Sequence, residues 1–279
     1  MPELPEVEIE RRRLEPLMVR HRLEGVVVRR PDLRMPFPEG FGARLIGQTV
    51  MALDRRAKYL LASLSSGEVL LMHLGMSGAF RIHSNGRHDP LSIGTAEPLP
   101  HDHVMFQMSS GAIVTFNDPR RFGLMDLVRR DRLATHPVLS TLGPEPLSAD
   151  FDAFTLARAC RGKRTPLKVA LLDQRVVAGL GNIYASEALY VARLSPRRHA
   201  STIATTTGMP RPSADRLAAA IKQVLTEAIN RLSAAEYRSS RFRVYDREAA
   251  RCRRRGCRGT IRRQTQAGRS TFFCAVCQR

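Results

Sequence analysis

Apolar and polar positions follow one period in the first half of the chain and another in the second. Met1-Pro2-Glu3-Leu4-Pro5-Glu6 leads into helical spacing from Val7 to about Met18. Pro5 suits a first helical turn, and the early glutamates suit the positive end of the helix dipole. Short β-type runs follow at Val26–Val28 and Thr49–Leu53. Tyr59–Leu64 and Val69–Leu74 flank Ser65-Ser66-Gly67, and Val104–Met108 and Ile113–Phe116 flank Ser109-Ser110-Gly111. Apolar runs around a glycine-containing turn predict two hairpins. Asn85–Pro100, broken at Gly86, Pro90, Gly94 and Pro98, reads as a loop. Past His136-Pro137 and Leu142-Gly143-Pro144-Glu145-Pro146-Leu147 the spacing turns helical, over Phe154–Arg161, Pro166–Leu172, Asn182–Tyr190 and Ala214–Leu232. Ser213 and Asp215 offer caps for the last of these. The expected class is α+β and multidomain. An antiparallel β domain with a leading helix covers 1–134, a linker 135–150, a helical domain 151–241, and a Cys- and Arg-rich module 242–279.

Composition narrows the function. Hydrophobic residues fill 43% of the 279 positions, too many for a disordered chain. Trp is absent and Tyr is scarce, so aromatic stacking falls mainly to Phe. The formal net charge is +19, from 45 Lys+Arg against 26 Asp+Glu. That excess favours a polyanionic partner, because each neutralised phosphate releases a counterion. The charge is uneven: five Glu lie in residues 1–15, and twelve Arg face only Asp246 and Glu248 in residues 241–279. A tail that basic reads as a disordered arm, but its four cysteines argue for a folded module. No basic and apolar leader opens the chain, and no run reaches the ~20 apolar residues of a membrane helix. A cytosolic protein without a membrane partner is expected.

In that compartment paired cysteines mean metal more often than disulfide. Cys252 and Cys257 are separated by four residues; after sixteen more come Cys274 and Cys277, separated by two. Two close pairs of thiolates suit one tetrahedral zinc. With all four positions taken by sulfur, the metal's role is structural. Cys160, alone on an apolar helix face, reads as a buried thiol. At the other end, removal of Met1 before the small Pro2 would leave a secondary α-amine. Such an amine, with a pKa near ~8, is partly neutral at physiological pH and can attack an electrophilic sugar carbon. Glu3 beside it can shuttle protons. On those residues alone a plain helix start is the better reading.

The motifs together resemble the formamidopyrimidine-DNA glycosylases. The resemblance is carried by Pro2-Glu3-Leu4-Pro5-Glu6-Val7-Glu8, Arg55-Arg56-Ala57-Lys58-Tyr59-Leu60, His73-Leu74-Gly75-Met76-Ser77-Gly78 and His101-Asp102-His103-Val104. It continues through Asp118-Pro119-Arg120-Arg121-Phe122-Gly123, Gly179-Leu180-Gly181-Asn182-Ile183-Tyr184-Ala185-Ser186-Glu187 and the four cysteines, in the family's order from residue 2 to residue 277. It implies a two-sheet β-sandwich with a flanking helix, a helical helix–two-turn–helix domain and a C-terminal four-cysteine zinc ribbon, embracing bent DNA in a basic cleft. It implies a monomeric bacterial base-excision glycosylase and lyase acting on duplex DNA with oxidised, ring-opened or abasic nucleotides. By resemblance Pro2 attacks C1′, Glu3 is general acid and base, Lys58 assists β-elimination, and Arg269 binds phosphate and assists δ-elimination. Met76, Arg120 and Phe122 match residues that fill the gap left by the flipped nucleotide. His73, His101, Arg121, Lys163 and Asn182 match phosphate contacts. The bland readings are a core Phe122, an internal Met76, an ordinary turn at Asp118-Pro119, and surface positions for His101 and His103.

The chain departs from the family's pattern in three places. The first cysteine pair is spaced by four residues where two is commoner. Tyr245-Asp246 and Glu248-Ala249-Ala250 lack expected glycines. The segment 230–241 is short and has no glycine where a Gly-rich loop closes over flipped 8-oxoguanine in relatives. Weakened 8-oxoguanine recognition is expected. An endonuclease VIII-like enzyme for oxidised pyrimidines or hydantoins, and a non-catalytic zinc-dependent damaged-DNA-binding protein, are the alternatives. Leu4 and Arg120-Arg121-Phe122 favour the formamidopyrimidine branch over the former. Intact Pro2, Glu3, Lys58 and Arg269 argue against the latter.

Overall fold

The computed structural model describes residues 2–84, 99–233 and 242–279. It forms two compact units, Met1–Ser140 and Thr141–Arg279.

The first unit starts with α1 (Leu4–Met18), which opens earlier than the apolar spacing predicts because Pro5 is built into its first turn. Leu4, Val7, Leu14 and Met18 are its buried face. One four-stranded sheet runs in the order β1-β6-β7-β5, with β1 at Leu23–Val28, β5 at Ala79–Ser84, β6 at Asp102–Met108 and β7 at Ala112–Asn117. The other runs β2-β3-β4-β8, with β2 at Val50–Arg56, β3 at Tyr59–Leu64, β4 at Glu68–His73 and β8 at Leu124–Arg129. Every pairing in both sheets is antiparallel. The predicted hairpins are β3–β4 and β6–β7, and their turns need Gly67 and Gly111 at φ of 82° and 80°.

A single core joins the sheets as a sandwich. Leu53, Leu60 and Met72 from one sheet meet Phe80, Phe106 and Phe116 from the other, and Val7 and Leu14 of α1 belong to the same cluster. Each such side chain contributes roughly 1.5–3 kcal/mol by leaving water. The spacing does not predict β5, β8 or the short α2 (Phe41–Leu45). They are brief, and β8 takes its place by pairing with β4, a partner more than fifty residues away in sequence.

The second unit holds α3 (Ala153–Cys160), α4 (Leu167–Leu172), α5 (Asn182–Val191), α6 (Pro212–Ser233), and a ribbon of β9 (Ile261–Gln266) and β10 (Arg269–Cys274). Asp152 caps α3 by accepting from the Thr155 amide at 2.7 Å. Ser213 and Asp215 do not cap α6: the helix already begins at Pro212, a residue suited to a first turn, so both fall inside that turn. Among the described residues no helix is long and apolar enough to cross a membrane. Most of the expected Asn85–Pro100 loop, and residues 234–241 of the short glycine-free segment, lie outside the described residues.

Candidate functional site

Pro2 is half-buried and leads directly into Glu3, the N-cap of α1. Glu3 is 1% exposed, and its backbone amide donates to Glu6 Oε2 at 3.0 Å within a reciprocal capping box. One turn along, Glu8 receives hydrogen bonds from Arg11, Arg12 and Arg55. Burial pushes the Glu8 carboxyl up, but these guanidinium bonds outweigh it and hold the group below its ordinary range. Arg55 is the link that matters. Its Nε bonds Glu8 Oε2 at 3.1 Å, and its Nη1 bonds the Ala57 carbonyl at 3.0 Å. The helix headed by Pro2-Glu3 is thereby fastened to the two-residue turn, Ala57-Lys58, that presents Lys58.

That turn stands beside His73. Tyr59 pairs with His73 across the β3–β4 hairpin, their rings 4.7 Å apart. Burial, followed by the positive charges of Lys58 and Arg34, pushes the His73 pKa down to about 4. The ring is therefore neutral at physiological pH. Its Nδ1 accepts from the Gly75 amide at 3.0 Å, which assigns the proton to Nε2. Lys58, Arg34 and the Nε2–H of His73 make a donor-rich patch suited to a phosphate.

Two loops then pack backbone to backbone. Gly75, at φ 65°, lies so close that a Cβ there would be 2.4 Å from the Phe122 carbonyl carbon. Asp118, fully buried, organises both loops. Its Oδ1 accepts from Ser77 Oγ at 2.6 Å and from the Arg120 amide at 3.3 Å, and its Oδ2 accepts from the Gly123 amide at 2.7 Å. Met76 and Phe122 are held outward, 40% and 43% exposed, so neither is a core residue. The Arg120 guanidinium lies over the Phe122 ring at 4.7 Å. Arg121 takes φ 56° and turns toward Asp32 at 3.7 Å. His101 is exposed, as expected, with φ 71°. His103 is not a surface residue: it is 4% exposed, and its Nε2 meets the Asp118 carbonyl at 2.9 Å. It braces the same loop.

In the second unit Asn182 opens α5. Its Nδ2 donates to the Ser270 carbonyl at 3.0 Å, next to Arg269 at the exposed start of β10. Lys168 completes the arrangement. It is 0% exposed, and its Nζ donates to Asn182 Oδ1 at 2.6 Å, Ser270 O at 2.8 Å and Thr271 Oγ1 at 2.9 Å. The ammonium's three protons meet three acceptors. Asn182 and Arg269 are thus brought to one place through a single carbonyl. Lys163 stands apart from them, in the turn after α3, its carbonyl accepting from the Ser201 amide at 2.9 Å. On α5, buried Glu187 accepts from the amides of Arg243, Val244 and Tyr245 at 2.9, 2.8 and 3.0 Å. This clamp gathers the chain immediately after residues 234–241.

The sulfurs of Cys252, Cys257, Cys274 and Cys277 all lie within 4.8 Å of one another. Cys252 and Cys277 are 3.8 Å apart, and Cys257 and Cys274 are 3.7 Å apart. These are not disulfide lengths. A tetrahedron with metal–sulfur bonds of ~2.3 Å has edges of about 3.8 Å, so the four thiols fit a metal. A Cβ on Gly259 would reach within 2.7 Å of Cys274 Sγ, so this glycine keeps the cluster open. Cys160 is 0% exposed, with its thiol pushed up to about 11 by burial, as an inert buried thiol should be.

Sequence reasoning does not single out Arg34, Arg55, Asp118 or Lys168 as working parts. Arg55 and Asp118 sit inside the quoted motifs, and that is the available signal. Nothing marks Lys168 as buried, because a lysine on an amphipathic helix reads as solvated.

Comparison with known proteins agrees with this geometry. Residues 1–125 match the family model for the formamidopyrimidine-DNA glycosylase N-terminal domain, and residues 142–238 match that for the helix–two-turn–helix (H2TH) domain of the same proteins. The formamidopyrimidine-DNA glycosylase of Azorhizobium caulinodans is 55% identical, and one from Rhodopseudomonas palustris is 53% identical, each over the whole of both chains. The solved Lactococcus lactis enzyme, bound non-covalently to DNA containing an abasic (AP) site, superposes with a TM-score of 0.86 at 29% identity, covering both chains fully. The Thermus thermophilus enzyme gives 0.81 at 40% identity, covering 99% of this chain and 98% of that one. With its β-sandwich, H2TH helices and clustered cysteines, the chain belongs to the formamidopyrimidine-DNA glycosylase family.

Proposed function

We propose that the chain excises oxidised or ring-opened bases from duplex DNA and then cleaves the abasic strand, using the amine of Pro2 after Met1 is removed. The observation that carries this reading is the join at Arg55, which fastens the Pro2-Glu3 helix head to the Lys58 turn beside neutral His73. The neutral amine attacks C1′ and forms the C–N bond as the glycosidic bond breaks. The expelled base leaves with a proton. Glu3 protonates the ring oxygen as the sugar opens, giving an iminium. That cation withdraws electrons, so a C2′ proton is lost to a base and the 3′ phosphate departs. A second elimination releases the 5′ phosphate, and water hydrolyses the remaining iminium, giving the unsaturated aldehyde fragment and a proton and freeing Pro2. Lys58 holds phosphate and assists the first elimination, Arg269 the second.

Base flipping costs a few kcal/mol. Phe122 wedges into the stack, Arg120 meets the orphaned base, and Met76 fills beside them. His73, His101, Arg121, Lys163 and Asn182 contact phosphate. One zinc on Cys252, Cys257, Cys274 and Cys277 holds the β9–β10 ribbon, and the protein works as a monomer in a bacterial cytoplasm. Functionally the chain divides into a catalytic domain at 1–134, a linker at 135–150, a DNA-binding helical domain at 151–241 and the ribbon module at 242–279. The brevity of 230–241 favours ring-opened purines or hydantoins over 8-oxoguanine, and excision rates on matched duplexes test this.

Borohydride trapping tests the chemistry. Wild type with an oxidised-base duplex should yield a covalent adduct, mapped to Pro2, and Pro2→Gly should trap far less. A normal strand-cleavage rate from protein whose Met1 is retained refutes the mechanism.

A further inference from the structure

A surface pocket of about 620 Å³ in the second unit is lined by Arg161, Arg198 and Arg211 with Ser201, Thr202 and Thr205. None of these residues figures in the chemistry above. Among the described residues, no aspartate or glutamate lies within ion-pair distance of the three arginines or of neighbouring Arg216; Arg198 Nη1 donates to the oxygen of terminal Arg279 at 3.4 Å. The other anchors are neutral. Arg198 Nε donates to Thr202 Oγ1 at 2.7 Å, and Arg211 Nε to the Ala204 carbonyl at 3.1 Å. The Arg161 stem packs against Gly208, where a Cβ would stand 3.4 Å from its Cδ. Burial, and then the charges of Arg216 and Arg211, depress Arg198 below its ordinary value. Like charges gathered in a concavity with no acidic side chain beside them are an arrangement that an anion stabilises. The hydroxyls add further donors.

We propose that this pocket takes a backbone phosphate of the duplex, as a DNA contact additional to those at the lesion. DNA is favoured over a free small anion by continuity: the Ser201 amide in the pocket wall donates to the carbonyl of Lys163, itself a proposed phosphate contact. The Arg161 and Arg211 guanidiniums, with Arg211 anchored only through its Nε, suit a phosphodiester's two free oxygens. The inference rests on the duplex-DNA reading above.

The test is the salt dependence of binding to a duplex carrying a non-cleavable abasic analogue, for wild type and for Arg161→Gln/Arg211→Gln. Each phosphate contact contributes about 0.9 to the log–log slope, so one lost contact lowers the slope by that amount. Between 50 and 200 mM salt the affinity ratio of wild type to variant should then fall about 3.5-fold. The Lys/Lys double variant should keep the wild-type slope, and single-turnover cleavage at saturating enzyme should match wild type for both. In parallel, phenylglyoxal modification of the wild-type protein, mapped by mass spectrometry, should show Arg161 and Arg211 protected by the duplex. Identical slopes for wild type and the Gln variant, or protection by inorganic phosphate but not by DNA, overturns the proposal. Because wild-type binding and cleavage are read in the same assays, their failure would instead sink the duplex-DNA reading.

Discussion

Replacing Asp118 by Asn tests whether one buried carboxylate sets the shape of the loop that carries Arg120 and Phe122. The two side chains have the same size, but Asn offers one acceptor and one donor group. If its oxygen keeps Ser77 Oγ and the Arg120 amide, its NH2 is pressed against the Gly123 amide, now 2.7 Å from a carboxylate oxygen. Donor then faces donor in a site that is 0% exposed. Stranding the Gly123 amide costs roughly 1–3 kcal/mol, and losing the charge at the other bonds brings the total to roughly 2–4 kcal/mol. Spread over the unit Met1–Ser140, a loss of about 3 kcal/mol lowers the melting midpoint by roughly 10 °C. Calorimetry reads the midpoint. Stopped-flow fluorescence of a reporter base opposite the lesion reads extrusion, which should slow because Arg120 and Phe122 lose their fixed positions. Phe122→Ala should slow extrusion with little change in midpoint. An Asp118→Asn variant melting within about 2 °C of wild type, with normal extrusion, refutes the reasoning.

The folded His73 pKa of about 4 lies below the ordinary 6.5, so folding favours the neutral ring. Its stabilisation is complete above 6.5 and lost as pH falls toward 4, amounting to up to about 3 kcal/mol. His73→Asn should therefore lose less stability than wild type across that window, as urea melts at stepped pH will measure. Lys168→Met strands Asn182 Oδ1 and removes the charged bonds to Ser270 O and Thr271 Oγ1, and should cost on the order of 2–4 kcal/mol and weaken DNA binding, by thermal melts and anisotropy. Chelation at mildly acidic pH should release one zinc per chain, by elemental mass spectrometry, and abolish DNA binding as the ribbon loses its folding energy. Arg55→Met should reduce borohydride trapping several-fold with its Km for DNA little changed, since it acts on the placing of Pro2 and Lys58 rather than on phosphate.

The hairpins were legible because glycine turns and alternating apolar runs are local signals. The sheet order was not: β8 reads as a short apolar run, and nothing near it says that β4 is its neighbour. The cysteines could be read from spacing, whereas Pro2 and Glu3 stood out only through the whole set of family motifs. The supports could not, since each is a pairing between distant segments: Glu8 with Arg55, His103 with the Asp118 carbonyl, Lys168 with Ser270. Such a bond leaves no periodic trace. His103 shows the limit plainly, because alternation predicted a side but not which side the loop would cover.

The length of the ribbon explains a tolerance. Arg269 begins β10 and Cys274 ends it, five residues on, so the arginine and the sulfur cluster stand about 17 Å apart. Extra residues between Cys252 and Cys257 are absorbed at the far end, as slack at the butt of a rod leaves its tip in place. The spacing of that knuckle can therefore change without moving Arg269, whereas one residue inserted between Arg269 and Cys274 would swing the side chains beyond it to the opposite face.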